Sequence, residues 1–224
     1  KSATVQNYHA IVDAELPLLA TASAAGTYDW STAPNNDGGH FEGRVFNARG
    51  LESVQLVEKG LFGAALFYQA QQRVSALGEN ITAADVDGLV ALFGTTPAFP
   101  NTDVSGPNPD KFQAKYAARR TPASGGLYLD MKRYFIEART YAEAGAAYNA
   151  QKMLAVQNLM QAWEESLAAT TINYLFTTVD KLSQTNPDDA TLEDGMHAYA
   201  EGVGFLSGVL AVPAQFSIIL AAQA

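Results

Sequence analysis

The chain has no cysteine among its 224 residues. Disulfides, thiolate nucleophiles, iron–sulfur clusters, covalently attached c-type haem and cysteine-ligated zinc are therefore excluded. Histidine is nearly as scarce, with only His9, His40 and His197. The HExxH helix of a zinc peptidase is absent, and so is the GxSxG elbow of a serine hydrolase. Positive charge is short too: 14 Lys and Arg stand against 23 Asp and Glu, a net charge of −9. That balance opposes nucleic-acid binding, whose affinity comes largely from neutralising phosphates. The one basic cluster, Lys115 with Arg119 and Arg120, reads as a solvated helix end beside a turn at Pro122. Strand signals are nearly absent as well, with no sustained alternation of β-branched residues between tight turns.

No clean membrane span is present. FLSGVLAVPAQFSIILAA (205–222) has the length, but Pro213, Gln215 and two serines interrupt it and it lacks basic flanks. It reads as a buried helix, a turn at Pro213 and a second short apolar helix. No signal peptide is visible, so the chain, which begins at Lys1, is expected to be a processed product or a fragment.

What remains is a globular composition, 48% hydrophobic and 17% charged, with helical periodicity along most of its length. A helix is expected over 3–24, kinked or split at Pro17. Residues 25–50 read as a long surface loop, and 51–77 as a second helix. A third, over 82–93, takes Thr82 or Asn80 as its cap. Residues 94–110 form a Pro/Gly/Asn connector, and helices resume at 110–120 and 125–145. Over 150–182, Met153, Met160, Leu167 and Tyr174 recur every seven residues, interleaved with Val156, Trp163 and Thr170, the signature of a long amphipathic core helix. The last main helix covers 188–210. The expected fold is one all-α domain over 1–224.

Two segments repeat. ExxLxxxxxxY occurs as Glu58–Leu61–Tyr68 and as Glu164–Leu167–Tyr174, and DGLVALFG (87–94) matches EGVGFLSG (201–208). The same order in 51–94 and 157–208 predicts a helical bundle of two pseudo-symmetric helix-pair halves.

The chemistry concentrates in GMHAYAEG (195–202). His197 and Glu201 fall four apart and share a helix face, which Gly204 and Gly208 continue. Glycines on one face mark the close approach of another backbone or a ligand. The pair is thus expected to point inward, where it must be hydrogen-bonded, ion-paired or metal-bound. The repeat aligns Glu201 with Asp87 and His197 with Ala83, so Glu58 and Asp87 are the candidates to complete a metal set. The plainer alternative is a structural His–Glu pair tying helices together.

Three stretches, GLESVQLVEKGLFGAALFYQAQ, QAWEESLAATTINYL and GMHAYAEGVGFL, resemble a family of Gram-negative bacterial exported lipoproteins of unknown function, related to the imelysins. The resemblance covers about residues 10–211. It implies a periplasmic or outer-membrane location, a lipidated cysteine before Lys1, and a link to iron uptake. Iron or zinc is then the expected metal, and an outer-membrane uptake receptor or another envelope protein the expected partner. Some imelysin-like proteins are described as proteases, so a metallopeptidase-like enzyme using the same site is the runner-up to a non-enzymatic binding protein. A structural or interaction module is the third reading. In place of the family's GxHxxE the chain has GMHAYAE, with the glutamate one position later, and its AADVDGLVALFG carries no histidine.

Overall fold

The computed structural model describes residues 3–29, 37–101, 109–121 and 125–218. The stretches 30–36 and 102–108, inside the two expected loops, lie outside the described residues. So do 122–124 at the expected Pro122 turn and 219–224 at the end of the expected last apolar helix.

The fold is an all-α helical bundle. Its helices are α1 (Ala3–Ala24), α2 (Ser53–Leu61), α3 (Tyr68–Leu77), α4 (Ala83–Phe93), α5 (Phe112–Arg119), α6 (Leu127–Ala144), α7 (Asn149–Leu182) and α8 (Asp189–Leu210). No helix among the described residues is long and apolar enough to cross a membrane. Local chemistry explains several boundaries. Thr82 caps α4 by accepting from Asp85 N while the Asp85 side chain answers the Thr82 backbone, and Gly94 ends the helix in the left-handed region. Asp188 caps α8 by accepting from the Thr191 amide. Pro17 neither splits nor ends α1. Between α2 and α3 the helix loosens into a π-helical stretch, Phe62–Phe67.

The expected 25–50 loop contains structure that its composition did not announce. Two three-residue strands, β1 (Gly39–Phe41) and β2 (Arg44–Phe46), pair antiparallel with His40 opposite Val45. Glu42 and Gly43, both at positive φ, close the hairpin. Strands this short leave no alternation to read.

The chain forms two compact units, Lys1–Ala64 with Thr171–Ala211, and Ala65–Thr170 with Val212–Ala224. The leading segment of each repeat is divided between the units, Glu58 and Leu61 from Tyr68, and Glu164 and Leu167 from Tyr174, while α4 lies in the second unit and α8 in the first. The second unit centres on Trp163, fully buried, with Phe93 edge-on at 5.2 Å and Phe67 at 5.9 Å. Buried Asp110 fastens its loops, accepting from Thr95 Oγ1 and, at 2.8 Å, from the Tyr128 hydroxyl.

In the first unit α2 and α8 make the most extensive helix pair. Gly204 faces the Gln55 and Leu56 carbonyls and the Lys59 stem, where a β-carbon would fall 2.9 Å from Gln55 O. One turn on, Gly208 meets the Gly60 backbone so closely that any β-carbon would overlap its carbonyl oxygen. Tyr8 of α1 lies over Gly60 and donates to the Val57 carbonyl at 2.7 Å. The aromatic layer beyond is Phe205, stacked on Tyr174 at 6.0 Å and edge-on to Phe62 at 5.6 Å.

These approaches separate glycines by consequence. Gly208→Ala forces two backbones apart and is expected to cost about 1–3 kcal/mol. Gly88→Ala on α4 meets only the mobile end of Arg73, so helix propensity makes it neutral or stabilising by up to ~1 kcal/mol. Urea unfolding of both variants checks this; equal effects would contradict the packing described.

Candidate functional site

The α2–α8 contact brings a run of ionisable groups together in the first unit. His197 sits at its centre, 22% exposed at the side chain. Its Nδ1 lies 2.7 Å from Glu52 Oε2, and its Nε2 lies 3.5 Å from Glu201 Oε2. The other Glu201 oxygen is 3.4 Å from Lys59 Nζ, and that ammonium also reaches Glu58 at 3.0 Å. On the other side, Glu52 Oε1 lies 3.5 Å from Arg44, which pairs in turn with Glu193. The sequence from one end to the other is Glu193, Arg44, Glu52, His197, Glu201, Lys59, Glu58.

Each member is placed by its element. His197, Glu201, Gly204 and Gly208 occupy successive turns of α8 on the face packed against α2. Glu52 is the residue just before α2 and Lys59 lies two turns along it, so both point at the same groove. The hairpin supplies Arg44 from β2, next to the cluster of Phe41, Phe46 and Met196. The glycines govern the spacing, since no β-carbon stands between the two backbones at Gly60 and Gly208.

Of the expected metal set, His197 and Glu201 come together. Glu58 is half exposed and reaches the cluster only through Lys59. Asp87 belongs to the second unit, where it accepts from Arg139 at 2.9 Å on an exposed face. Among the described residues no group of three or more His, Asp or Glu side chains is arranged to hold a metal ion. Glu52, Lys59 and Arg44 are the partners that sequence reasoning missed. The signal was present in ESVQLVEK: Glu52 and Lys59 are seven apart on one helical face, the same interval as from His197 to Gly204. The remaining histidines lie elsewhere, His9 paired with Asp13 on the exposed face of α1 and His40 against the Ser23 carbonyl.

Burial pushes the Glu52 carboxyl up, but the His197 hydrogen bond and the charges of His197 and Arg44 outweigh it, with help from Gln55. The net position is below the usual glutamate range. A carboxylate depressed in the folded state stabilises the fold at and above the ordinary glutamate range, and that stability is lost as pH falls through its folded-state pKa.

Chemically, His197 is a ring with a carboxylate on each nitrogen. With Nδ1 bonded to Glu52, the ring is oriented so that Nε2 faces Glu201. A separation of 3.5 Å is long for a hydrogen bond. It suits two donors on one first-row cation, whose bonds of ~2.0–2.2 Å set adjacent ligands about 3.4 Å apart. The Lys59 ammonium meets Glu201 Oε1, and Oε2 is the oxygen nearer the ring.

The chain matches none of the family models, curated proteins or solved structures compared with it.

The pH dependence has a residue-level test. Glu52→Gln is expected to cost about 1.5–3 kcal/mol at neutral pH, the contribution typical of a hydrogen bond to a charged group. It should also remove part of the acid-side loss of stability. Urea unfolding across an acid pH series measures both; curves for variant and wild type running parallel would contradict the assignment.

Proposed function

We propose that this chain is a non-enzymatic, exported cell-envelope binding protein linked to acquisition of iron or another metal, with His197 and Glu201 receiving the cargo. The observation that carries the reading is the Nε2-to-carboxylate separation of 3.5 Å beside a ring whose other nitrogen is held by Glu52. A carboxylate behind a histidine ligand fixes its ring and raises its basicity. Two protein donors leave most of a coordination shell to water or to a small chelator. A hydrated or chelated ion is therefore the cargo that fits. Four carboxylates, Glu193, Glu52, Glu201 and Glu58, stand against Arg44 and Lys59 in this run, a balance that favours a cation over an anionic chelate.

A second reading takes support from Lys59. With its side chain 6% exposed and 3.4 Å from Glu201, it already satisfies the carboxylate, as a purely architectural ion network requires. Under that reading the chain is a structural or interaction module.

Titration calorimetry with zinc and with ferric citrate, followed by elemental analysis, separates the two. The binding reading expects one ion per chain, affinity weakened roughly tenfold to a hundredfold by Glu52→Gln, and no detectable binding in His197→Ala. No uptake by the wild type, together with a lowered melting temperature in His197→Ala, would leave the architectural reading standing alone.

A further inference from the structure

The second unit contains a cavity of about 550 Å³ between α3, the first half of α7 and the segment after Pro213. Its volume lies in the range of small-molecule sites. Met153, Val156 and Met160 line it from α7, Val74 from α3, and Phe216 with Ile218 from the C-terminal segment. The sequence reading assigns the methionines to the core. Met160 is nearly fully buried, yet both it and half-buried Met153 line this space. The remaining wall carries the amides of Gln71, Gln157 and Gln215 and the Ser217 hydroxyl, with no charged side chain.

The third wall is built rather than left loose. Glu164, 1% exposed within α7, accepts from the Ser217 hydroxyl and, at 2.7 Å, from the Ile218 backbone N–H. Such bonds to a buried carboxylate are among the stronger hydrogen bonds. Phe216 packs edge-on to Tyr68 of α3 at 5.8 Å. A chain segment pinned at three points gives the cavity a fixed wall, and preorganisation of this kind lowers the cost of binding.

We propose that this cavity binds a small, uncharged, largely apolar molecule with one hydrogen-bonding end. Its apolar body lies against the methionines, whose unbranched side chains adapt to irregular shapes, and its polar end meets a glutamine amide. A charged ligand is disfavoured because nothing in the lining compensates its desolvation.

The uncharged fluorophore N-phenyl-1-naphthylamine tests this on the full chain. The expected result is saturable fluorescence enhancement at one site per chain, displaced by 1-decanol and by decanoate at least about tenfold less effectively. Met153→Trp and Val74→Trp fill the cavity from different helices. Each should weaken the probe roughly tenfold or more, the equivalent of losing about two buried methylenes, with helical circular dichroism retained in at least one. No saturable binding by the wild type would overturn the proposal. So would unchanged affinity in a folded filling variant, or decanoate competing as well as decanol.

Discussion

The backbone approach of α2 and α8 at Gly60 and Gly208 sets the geometry of the first unit. With no β-carbon between them, the helices come close enough that Gly204 also faces bare carbonyl oxygens and the Lys59 stem. Glu201 and His197, about one and two turns before Gly204 on the same face, are thereby pressed against α2. Each glycine in a helix interior costs about 1 kcal/mol of helix propensity. Close packing, with Tyr8 sealed over Gly60 and Phe205 between Tyr174 and Phe62, offsets that cost. The polar cluster is a consequence of this approach, since wider spacing would let water separate Glu52 from His197.

Buried charges of this kind do little for net stability. At ~4 Å and an effective dielectric near 20, one ion pair gains about 4 kcal/mol of Coulomb attraction, while removing ions from water costs several kcal/mol each. The terms nearly cancel, so the value of the network lies in position. Arg44 and Lys59 hold two glutamates on either side of one ring, and the ring is aligned by both. Any function that needs an oriented imidazole, whether ligand or helix clamp, is served by this arrangement. The two readings differ in whether Nε2 is occupied by Glu201 or shares a cation with it.

Most of the helices were legible in the sequence because long amphipathic segments carry their own period, as in α7, where Val156, Trp163, Leu167 and Thr170 are all buried. The inward face of α8 was legible from its glycines. The β1–β2 hairpin was not, since strands of three residues carry no alternation. Its consequence, Arg44 in the site, was invisible for the same reason. The repeat singled out Glu58, yet aligned positions differ in surroundings: Glu58 is half exposed, while its counterpart Glu164 is buried beneath Ser217. Repeat alignment reports backbone equivalence, and burial depends on what each helix meets. Asp87 and Glu201 make the same point, one on an exposed face with Arg139, the other enclosed with Lys59.

Under the binding proposal, Glu52 holds the His197 ring so that Nε2 is presented to an incoming cation beside Glu201. Nitrogen-15 NMR of the labelled imidazole at neutral pH, with and without zinc, tests it most directly. The expected result is an Nε2 resonance that moves on adding zinc while the Nδ1 resonance keeps the signature of its bond to Glu52. A ring whose two nitrogen resonances are both indifferent to zinc would contradict the metal reading.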